Sequence, residues 1–128
     1  MQAAIMQPAD EIRSGRITFT TDDFLIQFTE NGQFIDLSGE GTEQKGFDEN
    51  TYNHRRVSVI GHMGDRPIGG DPLSPRVPSF IAKKIVLQTD IAVRAFEIFH
   101  SPQSGSALDN WLRAERELLV VATSSLAA

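Results

Sequence analysis

The clearest pattern along the chain is a two-residue alternation of apolar and polar positions on either side of Asn31-Gly32. Phe24-Leu25-Ile26-Gln27-Phe28-Thr29-Glu30 and Gln33-Phe34-Ile35-Asp36-Leu37 flank that dipeptide. It suits a type I′ hairpin turn, because both central residues of such a turn need positive φ. Closing the turn there opposes Phe28 with Ile35 and Ile26 with Leu37. Phe24, Ile26, Phe28, Ile35 and Leu37 then share one face, and Gln27, Thr29, Asp36 and Ser38 make up most of the other. Ile17 and Phe19 join the apolar face if Thr21-Asp22-Asp23 turns the chain, which predicts a three-stranded meander. Such a sheet needs a cover over its apolar side.

The period changes to that of a helix after residue 88. Ile91, Ala95, Ile98 and Phe99 recur at helical spacing, with Thr89 or Asp90 as the expected cap. His100-Ser101-Pro102-Gln103-Ser104-Gly105 breaks the run. Ser106-Ala107-Leu108-Asp109 has the form of a capping box, with Asp in place of the usual Glu, and opens a second helix to about Ala122. Its apolar stripe is Leu108, Trp111, Leu112, Leu118, Leu119 and Ala122. So short a linker predicts an antiparallel hairpin. Phe80-Ile81-Ala82-Lys83-Lys84-Ile85-Val86-Leu87 reads as a strand on its β-branched content, an extension of the first helix being the alternative.

Between these regions, residues 38–79 hold 7 of the 10 glycines and 4 of the 6 prolines, and their main apolar run is Val57-Ser58-Val59-Ile60. That composition predicts a flexible connection. The expected fold class is therefore α+β: an N-terminal β-meander over 1–37, a long Gly/Pro-rich connection over 38–79, and a strand plus antiparallel two-helix hairpin over 80–128. With 128 residues, these together make at most one compact domain.

The helical part resembles a known family. Ile91, Arg94-Ala95-Phe96, Ile98-Phe99, a Pro/Gly turn and Asp109-Asn110-Trp111-Leu112-Arg113-Ala114-Glu115-Arg116-Glu117-Leu118 are similar to the bacterial domain of unknown function twenty-nine thirty-four. Its hallmark is an Arg-Ala-aromatic helix followed by a Trp-Leu-x-Ala-Glu helix. Phe99 stands where Trp is usual, and the turn is shorter. The resemblance implies an uncharacterised bacterial protein with a helical hairpin; it brings no catalytic residues.

Composition narrows the function classes. The chain has 40% hydrophobic and 23% charged residues and a net charge of −5, so a broad polyanion-binding surface is disfavoured. The acidity is N-terminal: residues 1–79 carry 12 acidic and 7 basic side chains, residues 80–128 five of each. No apolar run is long enough for a membrane span, and Met1 to Pro8 has neither a basic nor a long apolar segment, so a cytoplasmic protein with no membrane partner is expected. The absence of cysteine removes disulfides, thiolate metal sites and cysteine nucleophiles.

Several residues are candidates for chemistry. Glu115 falls near the middle of the second helix's apolar stripe, where a carboxylate needs a partner. Arg94 on the first helix is the expected one, giving a structural ion pair that sets the helices' register. Phe96, Phe99 and Trp111 are candidate anchors for a partner, with core packing as the alternative, the more so for Trp111. His62, Asp65 and Asp71, with His54 as a further possibility, have ligand types suited to a divalent metal, although a polar loop explains the same residues without one. Arg55, Arg56, Lys83 and Lys84 are the basic points that would serve nucleic acid. Gly61-His62-Met63-Gly64 has the form of an RNA-clamping loop but lacks supporting charge, and Glu40 and Glu43 argue against a phosphate cradle at Ser38-Gly39-Glu40-Gly41. No nucleophile with its base and no dinucleotide fingerprint is present, so no cofactor is expected. The expected function is a non-enzymatic module that self-associates or docks a protein through its helical hairpin, the alternative being a metal-binding protein or metal-dependent enzyme using His62, Asp65 and Asp71.

Overall fold

The computed structural model describes residues 9–20, 25–68 and 73–120. Strands β1 (Glu11–Phe19), β2 (Ile26–Glu30) and β3 (Gln33–Ser38) come first. A 3₁₀ turn (Glu40–Glu43), helix α1 (Glu49–Tyr52), strands β4 (Arg56–Pro67) and β5 (Arg76–Leu87), and helices α2 (Gln88–Phe99) and α3 (Ala107–Leu119) follow. The molecule is thus mixed α and β, strand-rich before residue 88 and helical after it.

The alternation around Asn31-Gly32 folds as its pattern predicts. Asn31 and Gly32 take φ of 51° and 79°, and Phe28 faces Ile35 across the turn. Ile17 faces Phe28 and Phe19 faces Ile26, so the three-stranded meander forms. The turn expected at Thr21-Asp22-Asp23 lies outside the described residues, as does Phe24. The meander is only part of a larger sheet, however. Its strands belong to a closed barrel in the order β1-β2-β3-β5-β4, with β4 pairing back to β1. Every ladder is antiparallel except β3 with β5. A five-stranded Greek-key barrel with a helix between β3 and β4 is the OB-type arrangement.

The expected connection over 38–79 is corrected by this closure. It carries the 3₁₀ turn, α1, all of β4 and the start of β5. Some of its glycines mark close packing rather than looseness: a Cβ at Gly61 would lie 2.0 Å from the carbonyl oxygen of Ile81. Likewise β5 starts at Arg76, ahead of the expected residue 80, because Val77 and Pro78 continue the ladder opposite Arg66 and Asp65.

One bulge sets which side chains enter the barrel. Ile60 pairs with Lys84 but Gly61 pairs with Ala82, leaving Lys83 as the extra residue. Strict alternation would carry Phe80 and Ala82 on to Lys84 inside the barrel. The bulge shifts the phase, so Phe80, Ala82 and Ile85 are interior and Lys84 and Val86 face outward. The interior is filled by Ile17, Phe28, Leu37, Val57 and Val59 as well, and Tyr52 of α1 packs into the same cluster. Phe47 extends it, its ring 4.7 Å from that of Tyr52 and 5.4 Å from that of Phe19. Gln44 completes the β5 ladder with its side chain, donating to the Ile85 carbonyl at 2.8 Å and accepting from the Ile85 amide at 3.0 Å.

The helical hairpin covers the outer face of the sheet. Ile60 and Val86 meet Ile91 and Ile98 of α2 and Ala114 and Leu119 of α3 in a second core. Each large side chain of that set contributes about 1.5–3 kcal/mol by leaving water. α2 continues directly from β5: its N-cap is Leu87, with no side-chain cap, so the cap expected at Thr89 or Asp90 falls inside the first turn. α3 starts as expected, the Ser106 hydroxyl accepting from the Asp109 amide at 3.0 Å. It ends at Leu119, before the expected Ala122, which is outside the described residues. No helix among the described residues is long and apolar enough to cross a membrane.

Candidate functional site

The hairpin is held to the barrel by a polar contact that differs from the expected one. Glu115 is buried as its position on the stripe predicts, but its Oε2 accepts from the Ser58 hydroxyl of β4 at 2.6 Å, a length typical of a charge-assisted bond. Arg94 instead donates through Nε to Glu117 at 2.6 Å and through Nη1 to Glu97 at 3.2 Å. The expected Arg94 to Glu115 ion pair is therefore corrected. Two residues of helix turn the side chain by about 200°, which places Glu115 toward the sheet and Glu117 toward α2's solvent edge. The Arg94 hydrogen bond holds the Glu117 carboxyl below its ordinary pKa, and the same pairing raises that of Arg94.

Three aromatics were the candidate anchors. Phe96 and Phe99 are exposed at 64% and 60%, and both rings lie edge-on to His100, with centroids 4.5 Å and 5.0 Å away. Trp111 is half-buried against the second core. Phe99, Leu108 and Leu112 lie outside the inner stripe to which their spacing assigned them. The inner positions of α3 belong to Asn110, Ala114, Glu115 and Leu119. Ala114 is small enough to let the helix approach closely, and Asn110 ties the connection down by accepting from the Gly105 amide at 2.9 Å. Val93, Phe96, Phe99, Leu108 and Leu112 are left facing water.

The candidate metal ligands do not converge. His62 and Asp65 are three positions apart on β4, hence on opposite faces of the strand. His62 Nδ1 lies 3.6 Å from Asp10, whose other oxygen accepts from Lys83 at 2.7 Å. Asp65 is engaged by Arg76. Asp71 lies outside the described residues, and His54 sits in the turn before β4. Among the described residues no group of three or more ligating side chains comes together.

The sequence pattern hid one concave site. A cleft of about 310 Å³ lies on the outer side of β2 and β3, walled by Leu25, Phe34, Ile68 and Val77. Arg66 and Asp36 form its polar edge through paired hydrogen bonds of 2.6 and 2.8 Å, and the Ser79 hydroxyl donates to Asp36 at 2.7 Å. The bond to Asp36 raises the pKa of Arg66. Phe34 is 70% exposed there. Its signal was present: it falls between the polar positions of the outer face, opposite Thr29. OB-type barrels commonly bind ligands on this face, although a shared fold does not assign a function. With Arg66 neutralised by Asp36, no described residue of this cleft is arranged for phosphate.

No known protein family matches the chain, and no curated protein of recognisable similarity was found. The fold and these surfaces define an OB-type barrel carrying a two-helix hairpin.

Proposed function

We infer that this protein is a non-enzymatic interaction module that pairs with a second copy of itself through the hairpin. The observation that carries the inference is the set of large apolar side chains, Val93, Phe96, Phe99, Leu108 and Leu112, exposed on two helices whose inner faces are already satisfied. Apolar exposure of this kind marks contact surfaces, and aromatic anchors dominate their energetics. Charge selects the occupant. Residues 1–79 hold the whole net charge of −5, whereas residues 80–128 are balanced. Two copies therefore repel least when they approach through the hairpin. The barrel is closed, so most strand backbone is already paired and the hairpin rather than a sheet edge offers the broad contact surface.

The resemblance to domain of unknown function twenty-nine thirty-four rests on the hairpin residues alone, no known family matching the chain, and is kept as part of this proposal. In its motif residues Ala95, Ala114 and Glu115 face inward while Phe96 and Leu112 face outward, so one motif serves both packing and contact. Sedimentation of the full chain should show a monomer–dimer equilibrium over micromolar to millimolar concentrations. The Phe96→Ser/Phe99→Ser variant should stay monomeric with its monomer melting temperature unchanged. A wild-type chain that is monomeric throughout that range would overturn the proposal.

A further inference from the structure

We propose that the cavity between the turn before β4 and the start of α2 binds a nucleoside monophosphate, its phosphate on Arg55 and Arg56 and its base against Trp111. The cavity has a volume of about 460 Å³ and is lined by His54, Arg55, Arg56, Thr89 and Trp111 among others, within the size range of small-molecule sites.

The first argument is charge. Among the described residues, Arg13, Arg66, Arg76, Lys83, Arg94 and Arg113 each lie within ion-pair distance of a carboxylate. Among the described residues Arg55 and Arg56 have no such partner. The Arg55 guanidinium donates to the Thr89 hydroxyl at 3.3 Å. Arg56 stands directly across the β1–β4 ladder from Arg16, a like-charge pair that costs stability unless an anion answers it. Glu30 lines a neighbouring pocket together with Arg16 and Arg56, and its carboxylate lies 3.5 Å from Arg13. Asp48 and Glu49 ahead of the turn and Asp90 beside Thr89 are not on the cavity wall. Two guanidinium forks match the oxygens of a phosphate better than any other side chains would.

The second argument is the mount. His54 is held at φ 63°, in the left-handed region that a non-glycine residue adopts at a cost. It stays there because the turn is fastened to β1. The His54 amide donates to the Ile17 carbonyl at 2.7 Å, the Ile17 amide donates to the Arg55 carbonyl at 3.0 Å, and Asn53 Oδ1 accepts from the Phe19 amide at 2.8 Å. The cationic residues are therefore presented on a fixed support. Opposite them, Trp111 offers an aromatic surface suited to stacking a base. The cavity thus joins an anion-binding rim to a stacking wall. The chain as a whole carries a net charge of −5, which opposes a polyanion more than a single nucleotide, so a single nucleotide fits better than a nucleic acid.

Trp111 is the chain's one tryptophan, so its fluorescence reports on this cavity directly. Adenosine and guanosine 5′-monophosphate should each be titrated into the full chain, with excitation beyond nucleotide absorbance. At least one should produce a saturable change by about 1 mM. The Arg55→Gln/Arg56→Gln variant, with both changes at exposed positions, should melt as the parent does and bind at least tenfold more weakly. Adenosine alone should bind no better than that variant binds the nucleotide, and inorganic phosphate should leave the fluorescence unquenched. The proposal is overturned by no saturable change, by equal binding of adenosine, or by undiminished binding to the double variant. It is equally overturned if a single-stranded oligonucleotide binds more tightly per nucleotide than the monomer.

Discussion

Glu115 and Lys84 are two charged residues in the layer between sheet and hairpin, and they have opposite circumstances. Glu115 is answered by Ser58, itself 3.4 Å from the Ser14 hydroxyl. Glu115→Leu is expected to cost about 1–2 kcal/mol in urea unfolding, because it strips Ser58 of its acceptor in a buried place. Adding Ser58→Ala should recover part of that loss, and strict additivity in the double-mutant cycle would refute the coupling. Lys84 is buried with no carboxylate in reach among the described residues, and desolvation lowers its pKa. Between that lowered value and the unfolded value of 10.5, the unfolded chain holds a proton that the folded chain lacks, so stability rises with pH across the interval. Lys84→Met should be about 1 kcal/mol more stable at neutral pH, and its advantage should shrink as pH climbs. The comparison belongs below pH 10, since burial raises the Tyr52 pKa above 10.0 and reverses the slope there. Melting curves of both proteins from neutral pH up to pH 10 test this; an advantage that grows as pH climbs would overturn it. That Glu115 would be buried and need a partner was legible from its helical position. That the partner is Ser58 was not, because the two are separated by 57 residues and only barrel closure brings them together.

At the scale of elements, the local patterns specified the hairpin of β2 and β3, the strand character of residues 80–87 and the start of α3. Each rests on neighbours in sequence: positive φ at Asn31-Gly32, β-branched residues, the Ser106 cap. Composition does not distinguish the strands within 38–79 from a loose connection, because glycine has two uses. Gly61 serves close approach at the bulge, and a methyl group there would meet backbone at 2.0 Å. Gly61→Ala is therefore expected to destabilise the fold by about 1–3 kcal/mol, as an overpacked core position does. Unfolding by urea measures it, and a loss under about 0.5 kcal/mol would mean the strand shifts freely at this point. The bulge also explains why alternation along β5 fails at Lys83-Lys84: a phase shift needs the partner strand to define it. The same limit applies to α3, where Leu108 and Leu112 share the helical period with the true inner face but lie beyond the area that the sheet covers.

For the molecule as a whole, the uneven charge bears on association. If copies meet through the balanced hairpin while their barrels repel, raising the salt should tighten the dimer by screening that repulsion. Sedimentation at about 50 and 500 mM salt reads this directly, and weakening by salt would point instead to pairing through ion pairs. The sequence by itself determined the elements whose causes are local: the turn dipeptide, the Ser106 cap, the periods, and the burial of Ile17, Phe28, Ile91 and Ile98. It also determined the charge imbalance and the absence of cysteine chemistry. Only the tertiary structure decided that the meander closes into a barrel, that Glu115 meets Ser58, that Phe34 borders a cleft, and that Arg55, Arg56 and Trp111 face one cavity. Each of these depends on which residues become neighbours when β4 joins β1 to β5. Such contacts are set by closure of long loops and by the area one element covers on another, and no period or spacing along the chain encodes either.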